Sequence, residues 1–246
     1  MVDLKPYIII QARMGSSRLP SKVMMPINGK PMIGYQIERL LKTKLPIIIA
    51  TSDDPNNGVL IDYVKSLGVQ VFRGSENNVL ERYYQAAKLF GAKSIIRITG
   101  DNPLVDPNFI LGQIDICAKE FNTKRYYLFG GKTKRLPMGM SFELFSFELL
   151  EEAYQNSKNK IEHEHVTPYM HQNMPGDIDI FHFQTCLNCP QLRLTVDTKD
   201  DFKLIQELIL KYDCQMKSLE EIIQIFKENQ YLEKINSNVI QKKWNE

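Results

Sequence analysis

The chain has 246 residues, of which 43% are hydrophobic and 24% are charged, which excludes disorder of the whole chain and suits one large α/β domain or two small ones. The 31 Lys and Arg nearly balance the 29 Asp and Glu, and this balance disfavours non-specific binding to nucleic acid. The sequence contains neither an apolar run of membrane-spanning length nor a secretory signal, so we expect no membrane partner, a cytoplasmic location and reduced cysteines.

Four short apolar runs in the first hundred residues predict β-strands. They lie at Tyr7–Gln11, 46–51, 69–72 and 94–98. Apolar residues at helical spacing follow each run, and this alternation is typical of parallel strands joined by crossover helices. Pro31 begins the first of these helices, and Gly68 and Gly91 stand where two helices should end.

The pattern changes after residue 106. Pro107 begins a predicted helix, and a Lys/Arg/Gly stretch separates the next two strands. The predicted strands of this half lie at 126–129, 141–145, 178–183 and 192–196. The predicted helices lie at 146–157 and 161–172.

Two capping-box patterns begin the C-terminal helices, Thr198 with Asp201 and Ser218 with Glu221. No internal repeat or linker divides the chain. We therefore predict an α/β fold with a mostly parallel, Rossmann-like sheet. Residues 1–246 would form a single domain with an inserted lobe at about 122–185.

The segment QARMGSSRLPSK, residues 11–22, directly follows the first strand. Its small residues let backbone N–H groups approach phosphate oxygens. Arg13, Arg18 and Lys22 can neutralise phosphate charge through hydrogen bonds worth about 1.5–3 kcal/mol each. The segment therefore indicates a triphosphate site, and its composition is also typical of a solvated turn. It matches neither the P-loop nor the dinucleotide-binding glycine motif.

This segment resembles the start of the sugar-acid cytidylyltransferases, which include those for 3-deoxy-manno-octulosonate and acylneuraminate, and it is most similar to the spore-coat-polysaccharide branch. Nearly the whole chain shares the resemblance. The further motifs are FRGS at 72–75, NVLERYY at 78–84, RITGDNP at 97–103, EHVTPY at 164–169 and RLTVDT at 193–198. The resemblance implies a three-layer nucleotidyltransferase domain and a homodimer formed through the inserted lobe.

The resemblance also implies an Mg²⁺-dependent enzyme. It would transfer a cytidylyl group from CTP to a sugar acid or related sugar, release pyrophosphate, and serve surface polysaccharide or glycan biosynthesis. Two alternatives stay open: a nucleotidyltransferase that uses GTP, UTP or ATP with a sugar phosphate, and a noncatalytic nucleotide-binding subunit.

Asp101 and Asp197 each follow a predicted strand, and ligands of open α/β sheets collect where such strands end. Magnesium usually takes one or two carboxylates, with phosphate oxygens and waters as its other ligands. The resemblance assigns both aspartates to the metal and, together with Arg13 and Lys22, to catalysis. Their local sequences are also typical of a turn and of a residue preceding a helix cap.

The resemblance places the triphosphate in the loop at 11–22. It places the cytosine near Gly74, Ser75, Asn78 and Arg82, where backbone and short side chains can read the exocyclic amine and the carbonyl of the base. The nucleotide-binding candidates are Gln11, Ala12, Arg13, Gly15, Ser16, Arg18, Lys22, Gly74, Ser75, Asn78, Arg82 and Asp101. A turn, a helix cap and a surface arginine are the alternative interpretation of residues 74–82.

The acceptor needs cations and hydrogen-bonding groups if it is a sugar acid or a phosphate. The candidates, in and beside the inserted lobe, are Arg97, Lys132, Lys134, Arg135, Glu143 and His165. Residues 132–135 are also typical of a solvated loop. This chain reads LPMGMSFE at 136–143, where relatives commonly carry an aspartate and a glycine, and this difference leaves the identity of the acceptor open.

Overall fold

The computed structural model describes residues 4–130, 135–172, 180–182 and 188–241. Its strands are β1 (Tyr7–Gln11), β2 (Pro26–Ile27), β3 (Lys30–Pro31), β4 (Ile47–Ser52), β5 (Gln70–Gly74), β6 (Ser94–Thr99), β7 (Tyr126–Phe129), β8 (Phe142–Ser146) and β9 (Ile180–His182). Its α-helices are α1 (Met32–Leu41), α2 (Gly58–Ser66), α3 (Val79–Phe90), α4 (Pro107–Cys117), α5 (Phe147–Asn156), α6 (Lys160–His165), α7 (Pro168–Gln172), α8 (Lys199–Tyr212), α9 (Leu219–Glu228) and α10 (Tyr231–Ile235). Short 3₁₀ helices lie at Lys22–Met24, Pro55–Asn57 and Cys214–Met216.

Seven strands form one sheet in the order β5-β4-β1-β6-β8-β7-β9. The strands β5, β4, β1 and β6 are parallel, whereas β8 runs antiparallel to both β6 and β7. The α/β fold with a mostly parallel sheet is therefore confirmed. Strands from the predicted inserted lobe extend this same sheet, and the division into a domain and a lobe stays a prediction.

Both faces of the sheet are covered by helices. Ile8 and Ile10 of β1 pack in one apolar cluster with α1, α2 and α4, whereas Ile9 points to a second cluster with α3 and α5. A strand buried on both faces reads as a continuous apolar run, which explains why β1 is so plain in the sequence. Among the described residues, no helix is both long and apolar enough to cross a bilayer.

A third apolar cluster joins the C-terminal helices to the segment around β2. Leu204 of α8 and Ile222 of α9 are fully or almost fully buried and share this cluster with Leu19, Ile27 and Val196. The packing holds the end of the loop at 11–22 and the residues before Asp197 against the same core. The distant parts of the site are thereby brought together by burial of apolar surface.

Most predicted element boundaries agree with the structure. Pro107 begins α4, and Gly91 ends α3 with a φ of 68°, a left-handed conformation that glycine adopts without strain. Both capping boxes form, Thr198 with Asp201 at α8 and Ser218 with Glu221 at α9.

Two predicted elements need correction. The helix predicted at 161–172 is two helices, because Val166 has a φ of 70° and the Thr167 N–H donates to the His165 carbonyl, 2.8 Å away, in a tight turn. The strand predicted at 192–196 is absent from the sheet, and its residues form only an isolated bridge between Arg193 and Met138.

Candidate active site

A cleft of about 320 Å³ opens where β1 and β6 end. This is the edge of an open α/β sheet at which ligands bind. The predicted site residues that line the cleft are Gln11, Ala12, Arg13, Gly15, Ser16, Arg18, Lys22, Arg82, Asp101, His165 and Asp197. Both aspartates and the three cations of the turn, Arg13, Arg18 and Lys22, therefore face one space.

Lys22 connects the two aspartates. Its Nζ lies 3.1 Å from Asp101 Oδ2 and 2.9 Å from Asp197 Oδ1, and it donates to the Val196 carbonyl at 2.7 Å. Burial by itself lowers the pKa of Lys22, but the two carboxylates outweigh it and raise the pKa above its usual value. Lys22 is therefore a fixed positive charge between two carboxylates.

The turn that carries Asp101 is hydrogen-bonded to the end of β1. Gly100 donates its N–H to the Gln11 carbonyl at 2.9 Å, and a Cβ on Gly100 would lie only 2.9 Å from the Cβ of Ala12. This close approach of two backbones requires glycine. The Thr99 hydroxyl donates to Asp101 Oδ1 and orients the carboxylate.

Asp197 reaches the cleft without a preceding strand. The Val196 N–H donates to the Asp101 carbonyl at 2.8 Å. This backbone hydrogen bond joins the two chain segments that carry the carboxylates. Arg18 contacts Asp197 Oδ2 at 2.9 Å. Burial by itself raises the pKa of Asp197. The opposite effect of Lys22, Arg18 and Arg193 is larger, so the pKa of Asp197 lies below its usual value.

Arg13 lies at the outer part of the cleft, where it pairs with Glu76. Both side chains are more than a third exposed, so water can compete for this pair. Arg18 and Lys22 are more deeply placed and contact Asp197. Each cation predicted to bind phosphate is thus paired with a carboxylate in this structure.

The residues predicted to read the base fall into two groups. Gly74, Ser75 and Asn78 do not line the cleft, and the Asn78 side chain caps α3 by accepting the Glu81 N–H at 2.9 Å. The helix-cap interpretation therefore describes Asn78. Arg82 is buried, lines the cleft and donates to the Ser75 carbonyl at 2.9 Å, so it is not the surface residue of that alternative.

Arg97 and Glu143 form an ion pair beneath the cleft, with 2.5 Å between Arg97 Nη1 and Glu143 Oε2. Arg97 also donates to Gln11 Oε1 at 3.0 Å, and Glu143 accepts from the Tyr126 hydroxyl at 2.6 Å and the Thr167 hydroxyl at 3.0 Å. Neither Arg97 nor Glu143 lines the cleft. Direct acceptor binding by this pair stays a prediction without support from the geometry.

The remaining acceptor candidates have different positions. His165 lines the cleft and is partly buried. Burial lowers its pKa below the usual value, and this outweighs the Glu164 charge, which raises the pKa; the Arg97 charge acts in the same direction as burial. Arg135 lies outside the cleft lining, where its carbonyl accepts the Cys189 N–H at 2.9 Å. Lys132 and Lys134 fall outside the described residues.

Some residues of the site escaped the sequence prediction. Thr99 and Glu164 line the cleft, and Arg193 contacts Asp197 from behind, at 2.8 Å. Arg193 and Thr99 belong to motifs that were recognised, but their type alone did not indicate a role. Their contacts with the two aspartates are local, Thr99 with Asp101 and Arg193 with Asp197, but the spacing of these residues carries no signal of a shared site.

The structure defines an α/β protein with a nucleotide-sized cleft in which a cationic turn meets two carboxylates, the arrangement of a nucleotidyltransferase. A family model described as cytidylyltransferase matches residues 7–237, and the chain belongs to that family. The predicted family is therefore confirmed.

Three similar proteins match most of this chain. An uncharacterised protein of Methanocaldococcus jannaschii is 40% identical over 242 residues, 97% of either chain. The spore coat polysaccharide biosynthesis protein SpsF of Bacillus subtilis is 33% identical over 220 residues, 82% of this chain and 85% of SpsF. The solved structure of a cytidylyltransferase from Leptospira borgpetersenii is 29% identical, has a TM-score of 0.87, and covers 97% of this chain and 100% of its own.

Proposed function

We propose that the protein transfers a cytidylyl group from CTP to a sugar acid or a related sugar, with release of pyrophosphate, for surface polysaccharide or glycan biosynthesis. The observation that carries this proposal is that Arg18 and Lys22 of the cationic turn meet Asp101 and Asp197 in one cleft. Membership of the cytidylyltransferase family and the similarity to SpsF support CTP as the nucleotide and a polysaccharide pathway.

The turn at 11–22 supplies what the triphosphate needs. Arg13, Arg18 and Lys22 would exchange their carboxylate partners for phosphate oxygens and stabilise the charge that grows on the leaving pyrophosphate. The acceptor oxygen attacks the α-phosphorus in line, and the bond from that phosphorus to the β-phosphate oxygen breaks. The chain contributes mainly position and charge to this reaction.

Mg²⁺ is the cofactor that we propose for this site. Asp101 Oδ2 and Asp197 Oδ1 converge on one cation, Lys22 Nζ, and a pair of carboxylates fits an ion that takes its other ligands from phosphates and water. When bound, the ion neutralises charge on the α-phosphate and orients the acceptor. Lys22 would then turn from the carboxylates to the phosphates.

His165 is the residue that we propose beside the acceptor. Its pKa is lowered by burial, so the imidazole is neutral at neutral pH and can accept a hydrogen bond or a proton from an acceptor hydroxyl. Arg82, which is buried and lines the cleft, would contact the nucleoside. A homodimer and a cytoplasmic location belong to the same proposal, and a solution mass of one subunit at micromolar concentration contradicts the dimer.

Pyrophosphate release tests the proposal. The purified protein is assayed with Mg²⁺, with each of the four nucleoside triphosphates, and with a nonulosonate, an octulosonate and a sugar phosphate as acceptors. We expect release with CTP and one of the sugar acids. Faster release from another nucleotide with the sugar phosphate contradicts the choice of CTP, and nucleotide binding without release under any pairing identifies a noncatalytic subunit.

A further inference from the structure

Arg193 lies behind Asp197, on the side away from Lys22. Its Nη2 contacts Asp197 Oδ2 at 2.8 Å, and the same guanidinium contacts Asp201 through Nε at 2.8 Å and Nη2 at 3.2 Å. The Arg193 side chain is 8% exposed and that of Asp201 is fully buried. A planar guanidinium held at two atoms by one carboxylate has a fixed direction, and Nη1 is also held by Gln241 Oε1 at 2.5 Å, so the contact with Asp197 is fixed as well.

Asp201 is itself held from several sides. It accepts the backbone N–H groups of Asp197 and Thr198, each at 3.0 Å. Asn236, which follows α10, donates to Asp201 Oδ1 at 2.9 Å and to the Arg193 carbonyl at 3.1 Å. A hydrogen-bonded network therefore runs from the C-terminal segment to the carboxylate of Asp197.

The two oxygens of Asp197 have different surroundings. Oδ1 faces Lys22 in the cleft, whereas Oδ2 is held by Arg193 and by Arg18. Arg18 belongs to the turn that would bind phosphates, and its side chain is 28% exposed. Arg193, at 8% exposure, is the more buried of the two contacts, and it would remain if Arg18 turned to a nucleotide.

We propose that Arg193 is a positioning residue of the transfer reaction. It occupies Oδ2 of Asp197 and so presents Oδ1 to the divalent ion, and Asp201 and Asn236 fix Arg193 in turn. This inference rests on the proposed function, because it places an ion at Asp197. Groups that orient metal ligands typically change metal affinity by about 10–100-fold when they are removed.

Arg193→Lys tests the inference, because lysine keeps the positive charge but has no planar fork with which to hold two carboxylates. We expect the Mg²⁺ concentration that gives half-maximal pyrophosphate release to rise about tenfold or more, with a smaller change in kcat at saturating Mg²⁺. As a second measurement, the unfolding temperature of the protein with CTP is followed as Mg²⁺ is added. Its midpoint should move to higher Mg²⁺ by the same factor.

Two variants in the C-terminal segment complete the test. Asn236→Ala removes the donor to Asp201 and should raise the Mg²⁺ requirement severalfold, whereas Ser237→Ala, at the exposed neighbour, should leave it unchanged. If Arg193→Lys folds and has the wild-type Mg²⁺ requirement, the role of Arg193 is overturned, but the proposed function is not. If that variant does not fold, a wild-type requirement in Asn236→Ala overturns that role. A wild-type protein that works without Mg²⁺ overturns the proposed metal site as well.

Discussion

Two clusters of ion pairs lie at the cleft, and they differ in whether their charged groups line it. In the first, Lys22 and Arg18 contact Asp101 and Asp197, and all four side chains line the cleft. In the second, Arg97 pairs with Glu143, which also accepts hydrogen bonds from the Tyr126 and Thr167 hydroxyls. Neither charged group of this pair lines the cleft. Charges that face an open cleft can change partners when a ligand arrives, whereas enclosed charges cannot be separated without a large cost.

The largest expected effect is on the cleft cluster. Asp101→Asn removes one of the two carboxylates that converge on Lys22, and we expect kcat for pyrophosphate release to fall at least about a hundredfold, the usual cost of losing one preorganised charge contact. Asp197 keeps its contact with Lys22, so the unfolding temperature should change little. Asp197→Asn, which changes the other carboxylate that contacts Lys22, should lower kcat to a similar extent.

Asp115→Asn is the matched control, because Asp115 is an exposed aspartate on α4. Its turnover should equal that of the wild type. Wild-type turnover in Asp101→Asn would contradict a catalytic role of this residue. The ion pairs that line the cleft would then not differ in function from the Arg97–Glu143 pair.

The second effect concerns the enclosed cluster. Glu143→Gln leaves the Arg97 charge without its carboxylate, and we expect a loss of about 3 kcal/mol in the free energy of unfolding, measured in urea. Glu38→Gln is the comparison, because the pair of Glu38 with Lys30 is 45% and 35% exposed, respectively, and should contribute less than about 0.5 kcal/mol. If Glu143→Gln and Glu38→Gln lose the same free energy of unfolding, the enclosed pair is no more important for stability than an exposed one.

The stability difference between Glu143→Gln and the wild type should depend on pH. Burial by itself raises the pKa of Glu143, but Arg97 and the hydroxyls of Tyr126 and Thr167 outweigh burial and lower the pKa below the ordinary 4.5. A carboxyl group with a lowered pKa stabilises the fold above its unfolded-state pKa, and this contribution is lost as the pH falls through the folded-state value. The loss caused by the substitution should therefore be full at neutral pH and shrink below pH 4.5.

The smallest effect lies outside both clusters. Asn78→Ala removes the N-cap of α3 and should cost about 1 kcal/mol of unfolding free energy. Because Asn78 does not line the cleft, the KM for CTP should stay within about twofold of the wild-type value, since no contact with the nucleotide is lost. A tenfold rise in KM with unchanged stability would restore Asn78 to the nucleotide site.

Local patterns were enough to predict one cluster in part. The apolar run of β1 and the small, cationic turn after it can both be recognised in the sequence. In the structure Arg18 and Lys22 lie in the turn after β1, as this pattern indicates, and they line the cleft. The approach of Asp197 was predicted for a wrong reason. It depends on the hydrogen bond between Val196 and Asp101, which joins two segments far apart in the chain and leaves no local pattern.

The second cluster could not be derived from the sequence. Arg97 and Glu143 are opposite each other because β6 and β8 pair antiparallel in a particular register, and single-sequence patterns do not define the register of strands so far apart. The break at Val166 was missed for a related reason. A β-branched residue seldom adopts positive φ, so the helical spacing at 161–172 predicted one helix where tertiary packing produces two.

A crystal structure of the protein with CTP and Mn²⁺ in place of Mg²⁺ tests the central claim most directly, because the anomalous signal of manganese locates the ion. We expect the signal beside Asp101 Oδ2 and Asp197 Oδ1, with the triphosphate along residues 11–22 and Lys22 turned toward it. A signal away from both aspartates, or a nucleotide bound elsewhere with Lys22 still bridging them, contradicts the account.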